Sequence, residues 1–256
     1  MIIGLISDVH ANVVALNAVL AELRSRRADT VVCLGDMVGY GPAPNETLER
    51  IREEKLLCTL GAADERIAFD FARQAVPRKG VGDQTLEWTR EILELDHVHW
   101  LRELPVQRRL DTPYGRFRAF HGTAEDPAGR TDLHVDPMRF ARLLDENRCT
   151  ILATGGTHVP FLRRAAQGLA VNPGSVGLSL NGEPGADYAL LQVREDGVDV
   201  RMDKVEYDVA AVAFDIVGWG LPSVVAEAVQ HGRMPGREEE PDDATGDDDA
   251  DDVFEP

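Results

Sequence analysis

Ile2-Ile3-Gly4-Leu5-Ile6 is a short apolar run, rich in β-branched residues, that leads directly into Ser7-Asp8-Val9-His10. Such a run reads as a strand buried on both faces, which is the habit of parallel sheets. Asp8 and His10 follow at a spacing of two. Extended backbone sends residues i and i+2 to the same side, so the strand end is expected to present a carboxylate and an imidazole together. A hard oxygen beside a borderline nitrogen suits a divalent transition metal. Alone, the pair is as easily a solvated turn, but here the arrangement recurs.

Val13, Leu16, Val19, Leu20 and Leu23 repeat at helical spacing, which predicts an amphipathic helix over 11–26. A second buried strand, 30–34, ends in Gly35-Asp36. Val38-Gly39-Tyr40-Gly41-Pro42 reads as a loop, with a helix beginning near Asn45 and carrying Leu48, Ile51 and Lys55. A third strand, 56–60, runs into Gly61-Ala62-Ala63-Asp64-Glu65. Three strand-helix alternations predict right-handed crossovers and a parallel sheet. Ligands bind along the edge where such strands end, so Asp8, His10, Asp36 and Asp64 are expected to converge there.

Residues 66–104 read as mostly helical, with Asp83 as an N-cap and with His97 and His99 on a charged, exposed surface. Two further strands, 116–120 and 150–154, run into His121-Gly122-Thr123 and Gly155-Gly156-Thr157-His158-Val159-Pro160. The glycines there let backbone approach a bound ion or phosphate closely. Turns at Asn172-Pro173-Gly174-Ser175 and Asn181-Gly182 predict antiparallel pairing over 161–208, and 209–231 reads as a closing helix.

At 256 residues the chain has room for one substantial core. It has no apolar run long enough to span a bilayer and no basic leader, so a soluble, cytoplasmic protein is expected. Cys33, Cys58 and Cys149 lie in apolar runs without a CxxC spacing and read as buried thiols. The net charge of −18 disfavours nucleic acid and anionic membranes as partners, but residues 237–256 hold 11 acidic residues against one Arg, so −10 of it is local. That stretch cannot bury enough apolar surface to order itself. We therefore expect a domain over 1–236 and a disordered acidic tail over 237–256. Oligomeric state is not legible.

Taken together, Asp8, His10, Asp36, His121 and His158 form a set of oxygen and imidazole ligands at strand ends. A structural zinc site is the weaker reading, because such sites favour cysteine and closed tetrahedra. The motifs Asp8-Val9-His10, Gly35-Asp36, Val38 to Pro42 with Asn45, Gly61 to Asp64, His121-Gly122, Gly155 to His158 and Asn172 to Ser175 resemble those of the calcineurin-like metallophosphoesterases, specifically the YfcE-like bacterial phosphodiesterases. The resemblance spans residues 1–236. It implies an α/β, four-layer αββα sandwich of two mixed sheets, and two divalent ions (manganese, iron or zinc) that activate water against a phosphate ester. By the same resemblance, Asp8, His10, Asp36 and His158 match the ligands of the first metal. Asp36 matches the carboxylate bridging to the second, and His121 a ligand of the second. Asp36 and Asp64 are the catalytic candidates, and Asn12, Gly61, Gly122 and Thr157 the candidates for touching substrate.

The chain departs from this family at two motifs. Gly61-Ala62-Ala63-Asp64 stands where the pattern is Gly-Asn-His-Asp, and Gly155-Gly156-Thr157-His158 where it is Gly-His-Thr-His. Alanine and glycine side chains offer no lone pair. One tight metal site is therefore expected, with the second weak or absent. The resemblance implies a hydrolase of low activity on a small phosphate ester, a nucleotide being one candidate. The alternative is a module that binds metal and phosphate ester with little or no turnover.

Overall fold

The computed structural model describes residues 1–69, 80–131 and 134–235. The acidic tail over 237–256 and part of the helical stretch expected over 66–104 lie outside the described residues.

The apolar run near the start forms β1 (Ile2–Ile6) and leads to α1 (Val13–Ser25). Asn12 caps this helix, its side chain accepting from the Ala15 N–H at 3.0 Å. The helix buries Ala15, Leu16, Val19, Leu20 and Leu23, and each large side chain contributes roughly 1.5–3 kcal/mol by leaving water. Leu23 lies over Gly4, where a Cβ would come within 2.9 Å of its Cδ1. Glycine in the strand thus lets the helix pack close. Next come β2 (Thr30–Cys33), α2 (Pro44–Glu53) and a very short β3 (Leu57–Cys58), with β1, β2 and β3 paired in parallel. Helices α3 (Ala62–Phe69), α4 (Val81–Ile92) and α5 (Leu95–Arg102) follow.

The second sheet opens with the hairpin β4 (Gln107–Thr112) and β5 (Gly115–Phe120), followed by α6 (Pro137–Glu146), β6 (Ile151–Ala153), β7 (Phe161–Ala165) and β8 (Gly168–Asn172). The chain returns to the first sheet as β9 (Ala186–Arg194) and β10 (Gly197–Val205), then closes with α7 (Val209–Gly218) and α8 (Ser223–His231). Strand orders are β10-β9-β1-β2-β3 and β4-β5-β6-β8-β7, and both sheets are mixed. Ile3, Leu5, Val32 and Leu34 of the first sheet meet Phe117, Ile151, Leu169 and Val171 of the second in one dry layer. Helices α1, α2, α3 and α5 cover the outer face of the first sheet, and Phe140 and Leu144 of α6 cover that of the second. This is the expected αββα sandwich.

Several local expectations are corrected. Asp83 does not cap α4; the N-cap is Gly80, and Asp83 instead pairs with Arg66. His97 is not on the surface: it is 6% exposed, and its Nδ1 accepts from Arg52 Nη1 at 3.1 Å. The closing helix is two helices, because Gly220 has φ 75° and Pro222 cannot continue α7. The antiparallel pairing expected over 161–208 is present in β7–β8 and β9–β10, but the Asn172 and Asn181 turns are not the ones that join these strands; they lie in the segment between β8 and β9, which crosses from one sheet to the other. Cys33, Cys58 and Cys149 are buried free thiols, as expected.

Candidate metal centre

β1 ends at Ile6, so Asp8 and His10 are not strand residues. Beyond it, the Asp8, His10 and Ala11 N–H groups donate to the carbonyls of Gly35, Asp36 and Met37 at 3.0, 3.0 and 2.9 Å. The loops after β1 and β2 therefore run side by side. Asp8, His10, Asp36 and His158 have φ of 52°, 46°, 50° and 57°. Left-handed backbone at a non-glycine residue costs of order 1–3 kcal/mol and persists only where the surroundings fix it. Convergence of these side chains thus comes from left-handed turns, not from strand alternation.

The three histidines are held alike. Nδ1 of His10, His121 and His158 bonds the carbonyl oxygen of Val38 at 3.2 Å, Leu34 at 3.0 Å and Leu178 at 2.8 Å respectively. An Nδ1–H donated to a carbonyl leaves Nε2 with its lone pair. All three Nε2 atoms face Asp8 Oδ1, at 3.8 Å from His10, 3.9 Å from His121 and 3.2 Å from His158. Asp8 Oδ1 is fully buried and has no hydrogen-bond partner, whereas Oδ2 accepts from the Gly156 N–H at 3.1 Å. Asp36 Oδ2 lies 3.3 Å from His121 Nε2, and its Oδ1 accepts from the Ala63 N–H at 2.8 Å.

Two donor groups result, Asp8 with His10 and His158, and Asp8 with Asp36 and His121, the donor atoms of each lying within 4.8 Å of one another. Their common member is Asp8, whereas the motif correspondence gives the bridging role to Asp36. A buried carboxylate oxygen ringed by three imidazole nitrogens fits a divalent transition ion. Without an ion, protons take its place, and a metal would have to displace them to bind. Burial alone would raise the Asp8 carboxyl, but His158 and His121 hold it well below the usual range. Burial and the neighbouring His158 push His10 down to about 4, leaving it neutral. Burial opposes protonation of His121, yet the Asp36 and Asp8 carboxylates outweigh it and push His121 up to about 10.

The remaining site candidates lie close to backbone. Asp64, expected to be catalytic, is fully buried and its two oxygens are taken by backbone: Oδ1 accepts from Met37 N–H at 2.9 Å and Val38 N–H at 3.3 Å, Oδ2 from Gly61 N–H at 3.1 Å. It ties the loop carrying Asp36 to the start of α3. Burial and the nearby Asp36 raise its pKa to about 7. Asn12, expected near substrate, is buried, caps α1 and donates to Gly177 O and Tyr207 Oη, both at 3.2 Å. Gly61 packs on Asp36, whose backbone N would lie 2.0 Å from a Cβ there, and Gly122 packs on the carbonyls of Pro127 and Gly129. Of these candidates only Thr157 is exposed, on the rim beside Gly156.

Four residues given no role from sequence complete the surroundings. The Tyr40 ring stands edge-on to His10, centroids 4.8 Å apart. Ser175 Oγ donates to Asp8 O at 2.7 Å, and Asn172 Nδ2 donates to Gly155 O and Thr157 Oγ1, both at 3.0 Å, so the crossing between the sheets fixes both ligand loops. Ser7 Oγ is buried beside them without a partner. Tyr40 and Asn172 to Ser175 were visible as motif residues, but residue type does not reveal which backbone groups they bind.

Residues 1–196 match a family model described as a calcineurin-like phosphoesterase superfamily domain. The chain is 27% identical over 252 residues to the uncharacterized protein MJ0912 of Methanocaldococcus jannaschii, covering 90% of this chain and 98% of that protein. Its structure is similar to that of a metallophosphoesterase from Sphaerobacter thermophilus, with a TM-score of 0.73 and 28% identity over 91% of this chain and 99% of the other. It is also similar to the hypothetical protein PH1004 from Pyrococcus horikoshii OT3, with a TM-score of 0.80 and 21% identity over 91% and 99% of the two chains.

Proposed function

The chain belongs to the calcineurin-like phosphoesterase superfamily, and from that premise we propose that it hydrolyses a small phosphate ester with a divalent metal held by Asp8, His10, Asp36 and His158. The observation that carries this reading is the buried, unpartnered Asp8 Oδ1 faced by the Nε2 atoms of His10, His121 and His158. When bound, the ion supplies electrophilic stabilisation of charge developing on phosphate oxygens. The chain supplies the rest. Its three imidazoles are oriented in advance by carbonyl bonds, Asp8 and Asp36 set the charge, and the open Gly156-Thr157 rim admits the ester. No helix among the described residues is long and apolar enough to cross a membrane. A cytoplasmic location, a domain over 1–236 with a separate acidic tail, and manganese as the ion belong to the same proposal.

Activity in this reading is low. Ala62, Ala63 and Gly156 place no ligand and no proton donor in the half of the site served by Asp36 and His121. General-acid assistance is worth roughly 10²- to 10⁴-fold, or about 3 to 5 kcal/mol at the transition state. Esters with good leaving groups need this assistance least. Turnover of bis(p-nitrophenyl) phosphate with Mn²⁺ is the test. The wild type should exceed Asp36→Ala by at least ~10²-fold, and equal rates remove the hydrolase reading. The same three residues favour a second reading, a module that binds metal and a nucleotide-like ester without turnover. It predicts tight ligand binding with no product.

A further inference from the structure

Arg109 and Arg118 stand directly opposite each other in the β4–β5 ladder, a like-charge pairing that destabilises an antiparallel sheet. No carboxylate separates them. Both guanidinium groups share one neutral acceptor, Gln107 Oε1, which receives Arg109 Nε at 3.3 Å, Arg109 Nη2 at 3.2 Å and Arg118 Nε at 2.8 Å. Arg118 Nη1 donates to Asn147 O at 3.0 Å. Arg116, two residues earlier on β5, and Arg148, just past the end of α6, line the same cavity of ≈ 410 Å³. Asp111 and Glu146 border it, yet none of the four arginines forms an ion pair among the described residues. Burial and, after it, the adjacent Arg109 lower the Arg118 pKa.

A chain of net charge −18 has carboxylates in excess, so four unpaired guanidiniums around one cavity are not a by-product of composition. A local cost kept without a local gain is what a binding site looks like before its ligand arrives. The cavity lies where β5 and β6 begin. His121 and Gly155 to His158 lie just beyond where those strands end, so the two sites occupy opposite edges of the second sheet.

We propose that this cavity binds a small anion carrying two or more phosphate groups, gripped by Arg109, Arg116, Arg118 and Arg148. Planar guanidinium forks match phosphate oxygens in pairs, and the volume is that of a small-molecule site. The test is calorimetric titration of the full-length protein, kept metal-free with a chelator, with inorganic pyrophosphate. The expected result is saturable one-to-one binding that weakens as salt rises. Arg116→Gln and Arg148→Gly should each lower affinity about tenfold or more. Glycine suits the Arg148 backbone, whose φ is 50°, so that variant keeps its melting temperature while losing ligand. Asp8→Asn should leave pyrophosphate affinity unchanged. The proposal is overturned by the absence of saturable binding, by affinity indifferent to both arginine changes, or by loss of binding in Asp8→Asn, which would put pyrophosphate at the metal centre. Binding of a single-stranded oligonucleotide without binding of pyrophosphate would also overturn it, in favour of a nucleic-acid surface.

Discussion

His10 Nε2 and His158 Nε2 stand 3.1 Å apart, and the Nδ1 of each ring bonds a backbone carbonyl, Val38 at 3.2 Å and Leu178 at 2.8 Å. With the protons on Nδ1, two lone pairs face one another at residues only 1% and 6% exposed. Asp8 Oδ1 adds a third, 3.2 Å from His158. This contact is repulsive until a cation enters it, as a shared proton or as a metal ion. The geometry therefore stores a preference for a cation at a defined point.

The first prediction concerns that cation. Titration of chelator-treated protein with Mn²⁺ should show one tight ion per chain. Losing a group that merely orients a metal ligand costs roughly 10–100-fold in affinity, so His158→Ala, which removes a ligand, should weaken binding by ~100-fold or more. Two equally tight ions in the wild type, or none, would contradict the proposal that Asp8, His10, Asp36 and His158 together hold one ion while Ala62, Ala63 and Gly156 offer nothing to a second.

Asp64 yields the second prediction. Its two oxygens accept from three backbone N–H groups, those of Met37, Val38 and Gly61. Asp64→Asn keeps an acceptor for one side and turns an NH₂ against a donor on the other. An unsatisfied buried donor costs about 1–3 kcal/mol, so urea denaturation should show a loss of that order. Metal stoichiometry should stay the same, because Asp64 holds the loop and not the ion. A loss of metal with unchanged stability would assign Asp64 the opposite role.

These two predictions mark where sequence suffices and where it does not. The sandwich follows only from the motif resemblance, whereas the parallel strands of the first sheet and the five candidate ligands are legible because buried β-branched runs alternate with helical periods and end in Asp, His and Gly. The left-handed backbone at Asp8, His10, Asp36 and His158 is not, because φ is not written in residue type when Asp or His occupies the turn. For Asn12 and Asp64, residue type does not distinguish a polar side chain that meets substrate from one that binds backbone, and both bind backbone here. Strand β4, QRRLDT, shows no apolar alternation, because it is an edge strand with little of it buried. Helix α6 is marked in the sequence only by its start, where Asp136 is the N-cap and Pro137 stands in the first turn.

His97 gives a prediction in pH. Its burial and the facing Arg52 guanidinium lower its pKa below the ordinary 6.5. The folded state thus binds fewer protons than the unfolded chain, so stability rises with pH in this window. The contribution is complete above about pH 6.5 and is lost as pH falls through the lower, folded value. Melting temperatures of wild type and His97→Gln should converge or cross as pH is lowered from 7 to 5, within the titration range of histidine. A constant offset between them would show that His97 does not change protonation on unfolding.

The last prediction rebuilds what the chain lacks. Gly156 is exposed with φ 79°, a region histidine tolerates better than most residues, and a Cβ there would lie 3.3 Å from His121 Nε2. Ala63 stands next to the same donor group, its N–H on Asp36 Oδ1 at 2.8 Å. Ala62→Asn, Ala63→His and Gly156→His together restore the donors that the motif correspondence places around Asp36 and His121. Metal content should rise from about one to about two ions per chain, and bis(p-nitrophenyl) phosphate turnover should rise by ~10²-fold or more as Lewis-acid and proton-donor assistance return. Each single change should do little, since no one donor completes a coordination shell. Stoichiometry fixed at one in the triple variant would mean that these three positions do not face the Asp36–His121 pair, and the account of low activity would fall with it.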